Sequence, residues 1–170
     1  MNRHRHNGFT LVEVLVALVV LSIGLLGIGK LVMFSSRAND SAYMRSQATA
    51  LAYSILDEMR ANKQDAVNGL YTVNTGAYGN PGFTCNAATP CTAPGQLAQY
   101  DLYRWKTAMG AALPSGDGTV ATVQSADPIT AAPITLATIT VQWNDAVAQQ
   151  SFGATAPAVQ ILRVTLETQL

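Results

Sequence analysis

Few residues in this 170-residue chain could do chemistry, and they are scattered. His4 and His6 lie beside Arg3 and Arg5 near the start, and no other histidine follows. A Ser-His-Asp or Cys-His arrangement needs an imidazole held against its nucleophile, and no such grouping stands out. The two cysteines, Cys85 and Cys91, form a C-x5-C spacing with no second pair and no nearby histidine, a poor zinc pattern. Asp57 and Glu58 are adjacent, so on a helix their side chains diverge and cannot face one substrate. Asp117, Asp127 and Asp145 fall in stretches that read as turns, where aspartate is favoured for backbone reasons. A calcium site built from such loop carboxylates lacks an EF-hand-like spacing. Gly24-Leu-Leu-Gly-Ile-Gly29-Lys30-Leu31 imitates a phosphate-binding loop, but it ends in Leu where magnesium needs Ser or Thr. The chain reads as neither an enzyme nor a metal or cofactor carrier.

One further titratable residue stands out by its surroundings. From residue 9 to residue 29 the only charge is Glu13, inside a run of Leu, Val, Ile, Ala and Gly. At about 1.5 Å per helical residue that run spans about 30 Å, one bilayer core. A carboxylate in such a helix costs roughly 2.5–3.5 kcal/mol at the centre and less near an end, so it asks for a partner. Arg3 and Arg5 precede the run, which by the positive-inside rule keeps residues 1–8 in the cytoplasm and sends the rest out. Ten basic residues balance ten acidic ones, and charged residues make up only 12% of the chain. That argues against a nucleic-acid binder recruited by phosphate charge. A cleaved secretory signal would have a shorter apolar region and a small-residue site, which Leu31-Val-Met-Phe-Ser-Ser does not supply. A plain signal anchor fits the length but leaves Glu13 unexplained.

Gly8-Phe9-Thr10-Leu11-Val12-Glu13, behind a short basic leader and ahead of about twenty apolar residues, resembles the class III signal of type IV pilins and pseudopilins. The resemblance implies that a membrane-embedded prepilin peptidase cuts between Gly8 and Phe9 and then methylates the new amino group of Phe9. The leader takes His4 and His6 with it, leaving no imidazole. Glu13 then matches the family glutamate that pairs with the N-terminal ammonium of a neighbouring subunit, which offsets the cost of a carboxylate in lipid. More narrowly, residues 8–28 and Asp101-Leu-Tyr-Arg-Trp105 resemble the PilV minor pilins. The implied partners are prepilin peptidase, other minor and major pilins, the inner-membrane assembly machinery and lipid. No nucleic acid is among them. The implied location is the inner membrane with the C-terminal part in the periplasm, then the fibre at the cell surface. A minor pseudopilin of a type II secretion system shares every one of these features. A membrane-anchored periplasmic binding module would need no cleavage.

The elements that must carry these residues follow from pattern. The chain divides into a leader (1–8), a transmembrane and assembly helix (9–30), its amphipathic continuation (31–63) and a head (64–170). Residues 30–63 lack proline and glycine, and Met44, Ala48, Leu51, Ile55 and Met59 recur at helical spacing, with Ala52 and Leu56 widening the stripe. Gly69 ends that helix. Many major pilins carry a proline in the membrane segment. None precedes Pro81 here, and Gly24, Gly27 and Gly29 are the residues that weaken the helix and permit close packing.

Glycines and prolines punctuate residues 69–96, around the two cysteines. Outside the membrane the compartment is oxidising, so a disulfide between Cys85 and Cys91 is the expectation, with free thiols the alternative. A second helix starts near Pro94, uses Ala98, Leu102, Trp105, Met109 and Ala112 as its core face, and stops at Pro114. On it, Tyr100, Tyr103 and Trp105 are read as packing residues, with Arg104 and Lys106 as local positive charge that Asp101 counters. Strands follow at residues 119–124, 134–143 and 159–168, with Leu136, Ile139, Val141 and Trp143 the large apolar residues of the second and Leu162, Val164 and Leu166 facing the core from the third. The expected fold is α+β, the pilin-like lollipop of a long N-terminal helix packed on a small antiparallel sheet.

Overall fold

A computed structural model describes residues 10–146 and 159–170. Among the described residues three helices are followed by three strands: α1 (Leu11–Ala61), α2 (Lys63–Val67), α3 (Gln96–Ala112), β1 (Asp117–Ala126), β2 (Pro133–Asn144) and β3 (Ile161–Gln169). The chain divides into two compact units, Met1–Asn39 and Asp40–Leu170. The fold is α+β, and the second half of α1 belongs to the second unit together with all that follows.

In that unit α1 contributes Ala48, Ala52, Ile55, Leu56 and Met59 to the core, with Met44 and Leu51 packed at its margin. These residues recur at spacings of three and four, so burial falls on the stripe that the sequence marks. Asn62 interrupts the helix with φ −117° and ψ 55°, and α2 restarts at Lys63. Gly69 ends α2 at φ 79°, where the Leu70 amide bonds back to the Asp65 carbonyl at 2.9 Å. A residue with a Cβ adopts that left-handed backbone only with strain.

The sheet has the order β1-β2-β3 and is antiparallel throughout. Val120 lies opposite Ile139, and Ile139 opposite Leu166. The hairpin between β1 and β2 turns on Asp127, whose Oδ1 accepts the Ile129 and Thr130 amides at 2.9 and 2.7 Å. This is the backbone role expected of a turn aspartate. The strands run slightly past their expected ends, and β3 starts two residues later.

Alternation in β2 is clean from Ile139 onward, and the structure also fixes the register before it, where Ala137 and Thr138 blur the pattern in sequence. Ala137, Ile139, Val141 and Trp143 point into the core, whereas Leu136 is 42% exposed. With a strict period of two, an inward Ala137 forces Leu136 outward, whatever its size. On α3, Ala98, Leu102, Trp105 and Met109 are buried as expected, while Ala112 in the last turn is exposed. Gly118 permits the contact of β1 with α3: a Cβ there would stand 2.7 Å from both the Trp105 ring and the Thr140 carbonyl oxygen.

Candidate functional site

The first unit presents apolar surface on every side. The seventeen large apolar residues between Leu11 and Phe34 are each 46–81% exposed. Burying a side chain of this kind is worth roughly 1.5–3 kcal/mol, so leaving all of them in water would cost tens of kcal/mol. Such a surface has to lie in lipid or against other helices. The stretch from Leu11 to Phe34 is about 36 Å long, enough to cross a bilayer core of about 30 Å. Ser22 satisfies its own hydroxyl by donating to the Leu18 carbonyl at 2.7 Å, which removes a donor that lipid could not accept. Gly24, Gly27 and Gly29 meet no neighbouring atom, so their notches are free for a partner helix.

Glu13 stands at the head of this helix. Its amide donates to the Thr10 carbonyl at 3.1 Å and to Thr10 Oγ1 at 3.3 Å. Thr10 therefore caps the helix and Glu13 occupies the third position inside it, the spacing of a capping box. A carboxylate in the first turn also gains from the positive end of the helix dipole. Among the described residues, no hydrogen-bond donor reaches the Glu13 carboxylate. The signal for this cap in the sequence is Thr-x-x-Glu before an apolar run. Gly8 and Phe9, where cleavage and methylation are expected, lie outside the described residues, as do His4 and His6.

In the second unit the polar residues hold α3 against its neighbours. Lys106, read as local positive charge, is buried: its three Nζ protons go to Asn74 O at 2.8 Å, Gly118 O at 2.6 Å and Asp117 Oδ1 at 2.5 Å, with Gly76 O at 3.2 Å sharing one of them. Asp117 begins β1 and is more than a turn residue, because it also accepts the Gly76 and Gly118 amides at 2.6 and 2.7 Å. Burial raises its pKa, but the Lys106 bond and these two amides prevail and hold the carboxyl below the usual aspartate value.

Asp101, read as countering Arg104 and Lys106, feels the Arg104 charge but is 5% exposed and accepts the Tyr71 hydroxyl proton at 2.6 Å. Asp145 is fully buried and accepts from Ser41 Oγ at 2.9 Å, so its place is in the packed interior. Spacing gives no signal for these three contacts, since each depends on a partner at least 11 residues away. Tyr100 and Tyr103 lie half-buried on α3, with the Arg104 guanidinium 5.7 Å from the Tyr100 ring centre.

Cys85 and Cys91 form a disulfide with Cα atoms 5.2 Å apart. It staples the loop between α2 and α3. Among the described residues no three His, Cys, Asp or Glu side chains gather as metal ligands, and Asp117, Asp127 and Asp145 each serve a different contact.

Comparison with known families finds the prokaryotic N-terminal methylation motif at residues 3–29. No curated protein and no solved structure matches the chain. The motif supports a type IV pilin-like family, and with the apolar helix it fits membrane anchoring.

Proposed function

We propose that this protein is a minor pilin of the PilV type, a subunit that primes and joins a type IV pilus. In this reading prepilin peptidase cuts between Gly8 and Phe9 and methylates the Phe9 amino group. The processed chain is held in the inner membrane by α1, with its C-terminal unit in the periplasm, until it is drawn into the fibre. The observation that carries the proposal is a helix with uncovered apolar residues from Leu11 to Phe34, joined to one exposed carboxylate, Glu13, within a methylation motif. Extracting such a helix from lipid is unfavourable unless sister helices cover it. Glu13 then pairs with the methylated ammonium of a neighbouring subunit, a charge-assisted contact in a medium with little water.

The same features serve a minor pseudopilin of a type II secretion system, and cellular phenotype separates the two. A deletion strain should lose surface fibres and twitching while secretion of folded enzymes continues. Loss of secretion with fibres intact would contradict the pilus reading and support the secretion one.

A further inference from the structure

An acidic cluster lies where α1, α3 and the segment after α2 meet. Glu58 comes from α1, and its Oε2 is buried with no hydrogen-bond partner among the described residues. Asp101 comes from α3, is 5% exposed, and accepts the Tyr71 hydroxyl proton at 2.6 Å. That hydroxyl has one proton, and its other contact, 3.5 Å long, is to the Glu58 backbone carbonyl, so it does not serve the Glu58 carboxylate. Asn62 Nδ2 lies 3.4 Å from the Tyr71 oxygen, and its shorter bond goes to Asp65 Oδ2 at 2.9 Å. Among charged groups, Asp101 and Arg104 of α3 face Glu58, and Arg104 also acts on Asp101. On its own helix, Asp57 pairs with Arg60 at the surface, at 3.7 Å. One exposed guanidinium thus stands against two carboxyls.

A buried carboxylate oxygen without a donor, beside a second buried carboxyl, is costly. Protonating one of the two acids is the local remedy, because it removes one negative charge and supplies a donor. We propose that Glu58 holds this proton in the folded head, and that its release loosens the packing of α3 on α1, making the cluster a proton-responsive latch. Burial, and after it the Asp101 charge, push the Glu58 pKa up to about 7, with Arg104 opposing. A folded-state pKa above the unfolded one means that the folded chain binds the extra proton. The stabilisation is complete below the ordinary glutamate value of 4.5 and is lost as pH rises towards about 7.

The test uses the full chain in detergent micelles, followed by tryptophan fluorescence. Trp105 and Trp143 are both buried in the head, so the signal reports that unit and not the apolar segment. Between about pH 5 and about pH 8 the wild-type Tm should fall by several degrees. Glu58→Gln, which mimics the protonated acid, should keep most of the higher Tm across that range. Parallel wild-type and Glu58→Gln profiles would overturn the proposal. A second measurement does not depend on that variant folding well: the Glu58 carboxyl of the wild type is titrated by NMR with labelled glutamate. A midpoint near neutrality, lowered in Asp101→Asn, supports the latch. A midpoint in the ordinary glutamate range, or one that Asp101→Asn leaves unmoved, overturns it.

Discussion

Trp105 Nε1 of α3 donates to the backbone carbonyl of Leu51 in α1 at 2.8 Å. Ser54 Oγ donates to the same oxygen at 2.9 Å. The Trp105 ring also reaches the surface of Gly118 on β1, so one side chain touches the long helix and the sheet. A Trp105→Phe variant keeps most of the apolar contact and loses the bond. It should lower stability by about 1 kcal/mol, whereas Trp105→Ala should cost about 3–5 kcal/mol. Thermal unfolding of the two variants checks that order.

The Lys106–Asp117 pair ties α3 to β1. Asp117→Ala leaves a buried ammonium facing carbonyls only, and should cost about 3–5 kcal/mol. Lys106→Met leaves Asp117 with the Gly76 and Gly118 amides and some exposure, so it should cost less. Because the folded Asp117 carboxyl titrates below its ordinary value of 3.8, its contribution is present above that value and is lost as pH falls through the lower, folded one. Acid unfolding of Asp117→Asn should therefore be shallower than that of the wild type in the same range. Equal acid slopes would contradict this assignment.

The Cys85–Cys91 bridge closes a loop of six-residue separation. For so short a loop, chain entropy gives about 2 kcal/mol. Reduction, or paired Cys85→Ser and Cys91→Ser substitution, should lower the Tm by a few degrees and leave helical content unchanged. Loss of the folded head on reduction would mean that the loop carries more than its own order.

Replacing Glu13 tests assembly apart from folding. Glu13→Ala removes a carboxylate from the apolar segment, so membrane insertion should be unimpaired and cleavage should persist. Incorporation into sheared fibres, read by immunoblot, should fall strongly. Wild-type incorporation would contradict the pairing role.

Periodicity made the elements legible, and partnership kept the polar network hidden. Met44 to Met59 mark the buried face of α1, and Ile139, Val141 and Trp143 mark that of β2, because helix and strand repeat at fixed periods. Leu136 lies before that clean alternation, where Ala137 and Thr138 blur the register. The burial of Lys106, Asp101 and Asp145 is not visible in sequence, since a charged side chain is buried only when a distant partner meets it. Asp117 finds Lys106 through the turn after α3, and Asp101 finds Tyr71 across 30 residues. Of the apolar N-terminal segment nearly everything is legible, including its length, its lone carboxylate and the methylation motif. The exception is Thr10, whose capping role follows from its place three residues before Glu13.

Cleavage after Gly8, which would leave a mature chain beginning at the head of α1, is the step on which the proposed pilin role turns. Mass spectrometry of the N-terminal peptide, from protein extracted from membranes of cells with active prepilin peptidase, tests it most directly. The expected peptide begins at N-methylated Phe9. A peptide that begins at Met1, with the bond between Gly8 and Phe9 uncut, would contradict the claim.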